Sequence, residues 1–103
     1  NFMIFIYTTC ADIKEAKSLS KIIIDKKMGV CVDYWRVNSM YNWKNETKEI
    51  SQVMILITTL ENKLEDINEF ISNNHSYSIP LIAGLDVRRI NRAYKEWMCS
   101  ELI

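Results

Sequence analysis

The sequence predicts an α+β fold of the ferredoxin-like type, with the element order βαββαβ and one additional C-terminal helix. Residues 30–57 contain two long runs of β-branched and aromatic residues separated by a short polar reversal, which is typical of a hairpin. An apolar pattern of helical period lies on each side of this hairpin, and a strand-like run lies beyond each helix. We therefore expect residues 1–103 to form a single domain, long enough to bury a substantial core.

The N-terminal part of the chain predicts a strand and then a helix. Residues 2–7, FMIFIY, are apolar on both faces, as expected of a central strand that is covered on each side. Asp12 and Glu15 have the spacing of a helix N-cap and its reciprocal acid, and apolar residues then recur with helical period. Gly29 follows two lysines at the end of this pattern, where we expect it to adopt the left-handed cap conformation.

The hairpin is the longest predicted element. Its first strand covers residues 30–43 and its second ends on the run 53–57, VMILI. Residues 44–47 form the polar reversal, in which Asn45 is best suited to a left-handed conformation. At about 3.3 Å per residue the first strand spans roughly 46 Å, whereas a domain of this size is roughly 33 Å across. The hairpin should therefore project beyond the core.

The first strand of the hairpin is apolar on both of its faces. One face carries Trp35, Tyr41 and Trp43, and the other carries Tyr34 and Met40. The helices of one domain cover only one face of a sheet, so the remaining apolar surface predicts association with further copies of the chain. A neighbouring subunit should cover Trp43, which is too large to leave in water at a hairpin tip.

Three elements are expected after the hairpin. Thr59 is placed to cap a second helix whose apolar stripe lies in residues 64–71. Residues 78–83 are predicted to form a fourth strand, and Pro80 favours a position at the sheet edge or at the start of that strand. The apolar spacing in residues 90–98 predicts the last helix.

Composition argues against several functional classes. The 13 basic and 13 acidic side chains balance, so the chain lacks an electrostatic footprint for nucleic acid or an anionic membrane. No apolar run approaches the roughly 20 residues of a membrane helix, and we expect no membrane insertion. The 3 cysteines are widely spaced, which predicts neither a disulfide framework nor a zinc knuckle and favours a reducing, cytoplasmic compartment.

Four short motifs resemble those of the CutA family, also called the divalent-cation tolerance family. In the order and spacing of that family they are Gly29-Val-Cys31-Val, Tyr41-x-Trp43, His75-x-Tyr77-x-x-Pro80 and Tyr94-x-x-Trp97. The resemblance covers essentially the whole chain. It implies a ferredoxin-like protomer, a tight homotrimer built through the long hairpin, binding of copper or another divalent metal, and a role in metal-ion tolerance and response. It implies no established catalytic activity, and we expect no enzyme.

The resemblance places candidate metal ligands at Cys31 and His75. Thiolate and imidazole both suit copper or zinc, although a lone cysteine in an apolar strand is more often a small buried hydrophobe. The single histidine excludes a three-histidine site within one protomer. Cys10 is a secondary candidate, because the helix N-terminus that follows it favours a thiolate, although the neighbouring Asp12 opposes this. We expect any copper site to be weak and centred on Cys31.

A set of aromatic residues is predicted to form the inter-subunit cleft and the trimer interface. The set is Trp35, Tyr41, Trp43, Tyr77 and Trp97.

Three residues near this cleft depart from the family pattern. Thr58 stands in place of a lysine, Ser76 in place of a proline and Ser78 in place of an acid. The loss of two charged groups argues against a catalytic or small-molecule role for the cleft.

Two functions are compatible with these features. The first is a homotrimeric metal-binding protein of metal-ion tolerance. The alternative is a trimeric sensor or protein-anchoring scaffold that binds a small ligand in its clefts, with metal binding incidental.

Overall fold

The computed structural model describes residues 2–102 and confirms the ferredoxin-like α+β fold. The strands form one sheet in the order β2-β3-β1-β4, and all neighbouring strands are antiparallel. Their bounds are β1 Met3–Cys10, β2 Cys31–Trp43, β3 Glu46–Leu60 and β4 Ile82–Asp86. The helices are α1 Ile13–Asp25, α2 Leu64–Asn74 and α3 Arg92–Glu101.

Helices lie on both faces of the sheet. Ile6, Ile55 and Ile57 are fully buried in the main core, which α1 and α2 cover. Because side chains alternate along a strand, Met3 and Leu60 point to the opposite face. There they pack against α3, which covers one end of that face only. The predicted extra C-terminal helix thus closes a second, smaller core.

The hairpin forms the long axis of the molecule. β2 pairs with β3 along its whole length, from Cys31 opposite Thr58 to Trp43 opposite Glu46. The molecule measures 46 × 26 × 21 Å, and residues 40–49 around the hairpin tip are all exposed. The predicted projection of the hairpin beyond the core is confirmed.

The turn of the hairpin is tighter than the sequence predicted. Only Lys44 and Asn45 lie outside the strands, with φ angles of 49° and 67°. Two positive φ angles in a two-residue loop define a type I′ turn, whose twist matches that of the paired strands. The left-handed conformation expected of Asn45 is confirmed, and Lys44 shares it.

The predicted end of α1 is wrong in one respect. The left-handed residue is Lys27, with φ of 56°, and its amide donates to the Ile24 carbonyl at 3.0 Å. Gly29 has no positive φ. A side chain there would place its Cβ 2.8 Å from the Cγ2 of Ile57, so close packing explains this glycine.

The elements after the hairpin begin later than predicted. Thr59 lies within β3 and its hydroxyl donates to the Met28 carbonyl, so it does not cap α2. A 3₁₀ turn at Glu61–Lys63 precedes α2 instead. β4 starts at Ile82, beyond Pro80, and it occupies the predicted edge of the sheet. Within the described part of the chain, no helix has the length and apolar character needed to cross a membrane.

Candidate functional site

His75 lies immediately after α2, with its ring next to the Thr9 carbonyl near the end of β1. Its side chain is 0% exposed. Nε2 lies 2.7 Å from the carbonyl oxygen of Thr9, and Nδ1 accepts a hydrogen bond of 2.9 Å from the Tyr77 amide. These two contacts assign the ring hydrogen to Nε2, so both ring nitrogens are engaged in hydrogen bonds. A metal ion at His75 would have to displace one of these bonds.

Glu15 connects the segment after α2 to the start of α1. Its Oε1 accepts from the Ala11 amide at 3.0 Å and from the Ser76 hydroxyl at 2.7 Å, and its Oε2 accepts from the Ser76 amide at 2.7 Å. Partial burial raises the pKa of this carboxyl, but the hydrogen bonds outweigh burial and the net pKa is lowered. Asp12 caps α1 as predicted, because its Oδ1 accepts from the Glu15 amide at 2.8 Å.

Cys10, the last residue of β1, is 0% exposed. Burial, followed by the charge of Glu15, raises its pKa to about 11, although a backbone hydrogen bond at Asp12 partly opposes the shift. The expected preference for a thiolate beside the helix is therefore not met, and this sulfur remains a protonated thiol at neutral pH.

Cys31 begins β2 on the sheet face opposite α1 and α2, and it is partly exposed. Its Sγ lies 3.8 and 3.9 Å from the two carboxylate oxygens of Asp33. Burial and the Asp33 charge raise the pKa of the thiol. Burial raises the pKa of Tyr94 in α3, and the nearby charges of Cys31 and Asp33 raise it further.

The predicted metal ligands do not share one site within a protomer. Cys10 pairs with Val53 and Cys31 with Thr58, five positions further along β3, which sets them roughly 17 Å apart along the strand direction alone. The two side chains also lie on opposite faces of the sheet. Among residues 2–102, no three His, Cys, Asp or Glu side chains are grouped so as to hold a metal ion. The assignment of Cys10, Cys31 and His75 as ligands stays a prediction.

An open groove of about 650 Å³ runs between the hairpin and the segment that precedes β4. Tyr41, Trp43 and Tyr77 line it, and the Tyr77 hydroxyl donates to Gln52 Oε1 at 3.1 Å. Trp35 and Trp97 are exposed elsewhere on the surface. The structure thus brings together three of the five predicted aromatic residues.

The three residues that depart from the family pattern separate in the structure. Ser78 lines the groove. Thr58 is buried opposite Cys31, and Ser76 is bound to Glu15.

Sequence reasoning missed Asp33 as the neighbour of Cys31, and it recognised Glu15 only as part of a helix cap. The signal for Asp33 was present, because residues two apart on a strand share a face. The role of Glu15 as an acceptor for Ser76 could not be read from the sequence, since it depends on a contact between residues 61 positions apart.

The family model of the CutA1 divalent ion tolerance protein matches residues 4–101. The chain belongs to the CutA1 family. It is 31% identical over 99 residues to the divalent-cation tolerance protein CutA of Thermococcus kodakarensis, covering 96% of this chain and 95% of that protein. It is also 28% identical over 93 residues to protein CutA of Mus musculus. That alignment covers 89% of this chain but only 52% of the longer relative.

Solved CutA1 structures share the fold. The crystal structure of CutA1 from Oryza sativa superposes with a TM-score of 0.95 at 26% identity, covering 99% of this chain and 94% of that one. The resemblance read from the four short motifs is thereby confirmed.

Proposed function

We propose that this CutA1 family member is a homotrimer that binds a divalent metal ion, copper among the candidates, and contributes to metal-ion tolerance. The observation that carries the assembly is the uncovered apolar surface of the hairpin, where Met40 is 67% and Trp43 is 56% exposed. Packing against further copies would remove this surface from water. The choice of three copies rests on the resemblance to the family.

Cys31 is the residue best placed to bind the metal. Cys31 is partly exposed, whereas Cys10 is fully buried and both nitrogens of His75 are already hydrogen bonded. The tolerance to divalent cations in the name of the Thermococcus kodakarensis relative supports a metal as the ligand. Since one thiol with few partners forms a weak site, we expect a dissociation constant nearer micromolar than nanomolar.

A binding role is favoured over a catalytic one by the polar cluster around Glu15. Ser76, His75 and Glu15 are neighbours, but the Ser76 hydroxyl donates to the Glu15 carboxylate and not to the imidazole. Nucleophilic catalysis needs the hydroxyl hydrogen bonded to the base, and here Nδ1 of the ring already accepts from a backbone amide. These bonds give the cluster a structural role.

The proposed compartment is the cytoplasm. Cys10, Cys31 and Cys99 are all unpaired thiols, a usage that suits a reducing environment.

Competitive titration with Cu²⁺ and Zn²⁺ tests the metal-binding proposal. We expect the wild-type protein to bind about one ion per protomer and the Cys31→Ser variant to lose most of that affinity. Cys99→Ser is the matched control, because Cys99 is a second partly buried thiol, located on α3 and packed against the smaller core. The absence of binding by the wild type, or equal affinity in Cys31→Ser, would contradict the proposal.

The groove favours a second candidate function, a sensor or scaffold that binds a small ligand. Its aromatic wall of Tyr41, Trp43 and Tyr77, with Lys48 as a single cation, suits a flat, partly apolar anion. Quenching of tryptophan fluorescence by such ligands, lost in Trp43→Leu and retained in Trp97→Leu, would support it. A fluorescence signal that does not change across a panel of aromatic carboxylates would exclude it.

A further inference from the structure

One flank of α1 forms an open groove with the edge strand β2. The residues of this flank are spaced three and four positions apart, which makes them neighbours on the helix surface. They are Lys17, Ser20, Lys21 and Ile24. Val32 and Tyr34 of β2 form the other wall, and the groove has a volume of about 400 Å³. Tyr34 and Tyr41 are an odd number of positions apart on β2 and project from opposite faces of the sheet, so this groove is separate from the one that Tyr41 lines.

The hydroxyl of Ser20 indicates that the groove takes a ligand. Ser20 is only 8% exposed, and its Oγ has no hydrogen-bond partner among residues 2–102. A serine within a helix usually donates to the carbonyl four residues earlier or points to solvent, and this hydroxyl does neither. Since a buried hydroxyl without a partner destabilises a fold, alanine would suit this position better. A polar group that enters from the groove would explain the serine.

The charges along the groove favour an anion. Lys21 pairs with Asp25 at 3.1 Å, so these two charges balance. Lys17 forms no ion pair with any described residue and leaves the groove with one uncompensated positive charge. Because Lys17 and Ser20 are three positions apart on the same flank, both reach one head group. A hydroxyl and an ammonium together suit a carboxylate, which accepts from both.

The apolar part of the groove suits a short hydrocarbon chain. Ile24 is 41% exposed, and Val32 and Tyr34 beside it are only partly buried. A chain lying against these three side chains would remove their apolar surface from water. The groove volume of about 400 Å³ lies toward the lower end of the range for small-molecule sites. The ligand is therefore small.

We propose that the groove between α1 and β2 binds a small monocarboxylate with an apolar tail. The carboxylate accepts a hydrogen bond from the Ser20 hydroxyl and forms an ion pair with Lys17. The tail packs against Ile24, Val32 and Tyr34. This site lies beyond the metal-binding function and does not depend on it.

Titration with hexanoate tests the proposal, with binding followed through the backbone amide NMR signals of the full chain. We expect saturable shifts at Ser20, Lys21 and Tyr34, with a dissociation constant of about millimolar for so small a ligand in an open groove. Ser20→Ala should weaken binding by about tenfold or more, because the lost hydrogen bond is to a charged group. Lys17→Gln should weaken it by about two- to fivefold, as expected for an exposed ion pair.

Two variants and a second probe serve as controls. Ser18→Ala and Lys14→Gln change the same residue types at exposed positions of α1 outside the groove, so both should bind hexanoate as the wild type does. Hexylammonium has the same chain and the opposite charge and should not bind. Saturable shifts that are absent in the wild type, equal affinity in Ser20→Ala, or equal binding of hexylammonium would each overturn the proposal.

Urea unfolding of Ser20→Ala without ligand gives an independent test. The midpoint should equal or exceed that of the wild type, because the substitution removes a buried hydroxyl that the fold does not use. A lower midpoint would show that the hydroxyl has a partner within the fold, and this result would overturn the proposal. None of these outcomes depends on metal binding, so the proposed function is tested separately.

Discussion

Replacement of Glu15 by glutamine should destabilise the protein by about 2–3 kcal/mol. The carboxylate accepts three hydrogen bonds, from the Ala11 amide and from the amide and hydroxyl of Ser76. Hydrogen bonds to a charged group contribute about 1.5–3 kcal/mol each and neutral ones about 1 kcal/mol. The glutamine side chain is neutral, so two of these hydrogen bonds become weaker. The third is lost, because the amide nitrogen of glutamine is itself a donor and faces the third donor. Glu15 is 15% exposed, so water replaces part of the lost hydrogen bonding. We therefore expect the destabilisation to lie near about 2 kcal/mol.

Urea unfolding at a fixed protomer concentration measures this loss. Glu15→Gln should lower the midpoint by roughly 1–2 M without a change in slope. Glu69→Gln is the matched control, because it removes the same charge from an exposed position on α2. A Glu15→Gln variant within about 0.5 kcal/mol of wild type, a range typical of surface substitutions, would refute the assignment of Glu15 as the connection between α1 and the segment after α2.

The same residue sets a pH dependence of known sign. The pKa of Glu15 is lowered in the folded protein, because hydrogen bonds from Ala11 and Ser76 outweigh the opposing effect of burial. A lowered folded pKa gives stability that is fully present above the unfolded pKa and is lost as pH falls through the folded pKa. The difference in unfolding free energy between wild type and Glu15→Gln should therefore shrink on acidification. A difference that stays constant from neutral pH to pH 3 would contradict this account.

Three further predictions concern the end of α1 and the thiols. Lys27→Gly should stabilise the protein by about 0.5–1 kcal/mol in urea unfolding, because glycine accepts the φ of 56° without steric cost; an unchanged midpoint would count against this. Gly29→Ala should destabilise it by about 1–3 kcal/mol, since the new Cβ lies 2.8 Å from Ile57 Cγ2; a neutral effect would mean that the core yields. A thiol reagent should modify Cys31 in the native protein but reach Cys10, with its pKa of about 11, only on unfolding; rapid native modification of Cys10 would disprove its burial.

Sequence periodicity predicted the order of the elements because each element buries a continuous apolar set. The hairpin followed from its two β-branched and aromatic runs around a polar reversal, and its projection followed from the length of the first strand. The boundaries after the hairpin were less accurate, because Thr59 has the side chain of a helix cap but is retained in β3 by its bond to the Met28 carbonyl. Gly29 was misread for a similar reason, since only the packed structure brings Ile57 against it.

The candidate site was predictable only in part. Cys31 was identified through a family motif, and its partner Asp33 lay within reach of a period-two argument that was not made. His75 was proposed as a ligand, yet its ring hydrogen bonds to Thr9, 66 positions away in the chain. Contacts of that range decide whether a histidine is free to bind a metal, and a single sequence does not reveal them.

Native mass spectrometry of the protein, alone and with Zn²⁺ or Cu²⁺, tests the central proposal most directly. Three protomers of 12.2 kDa should appear as one species of about 37 kDa, and each protomer should take up one metal ion. A monomer of 12.2 kDa that gains neither metal would contradict both the assembly and the metal-binding function.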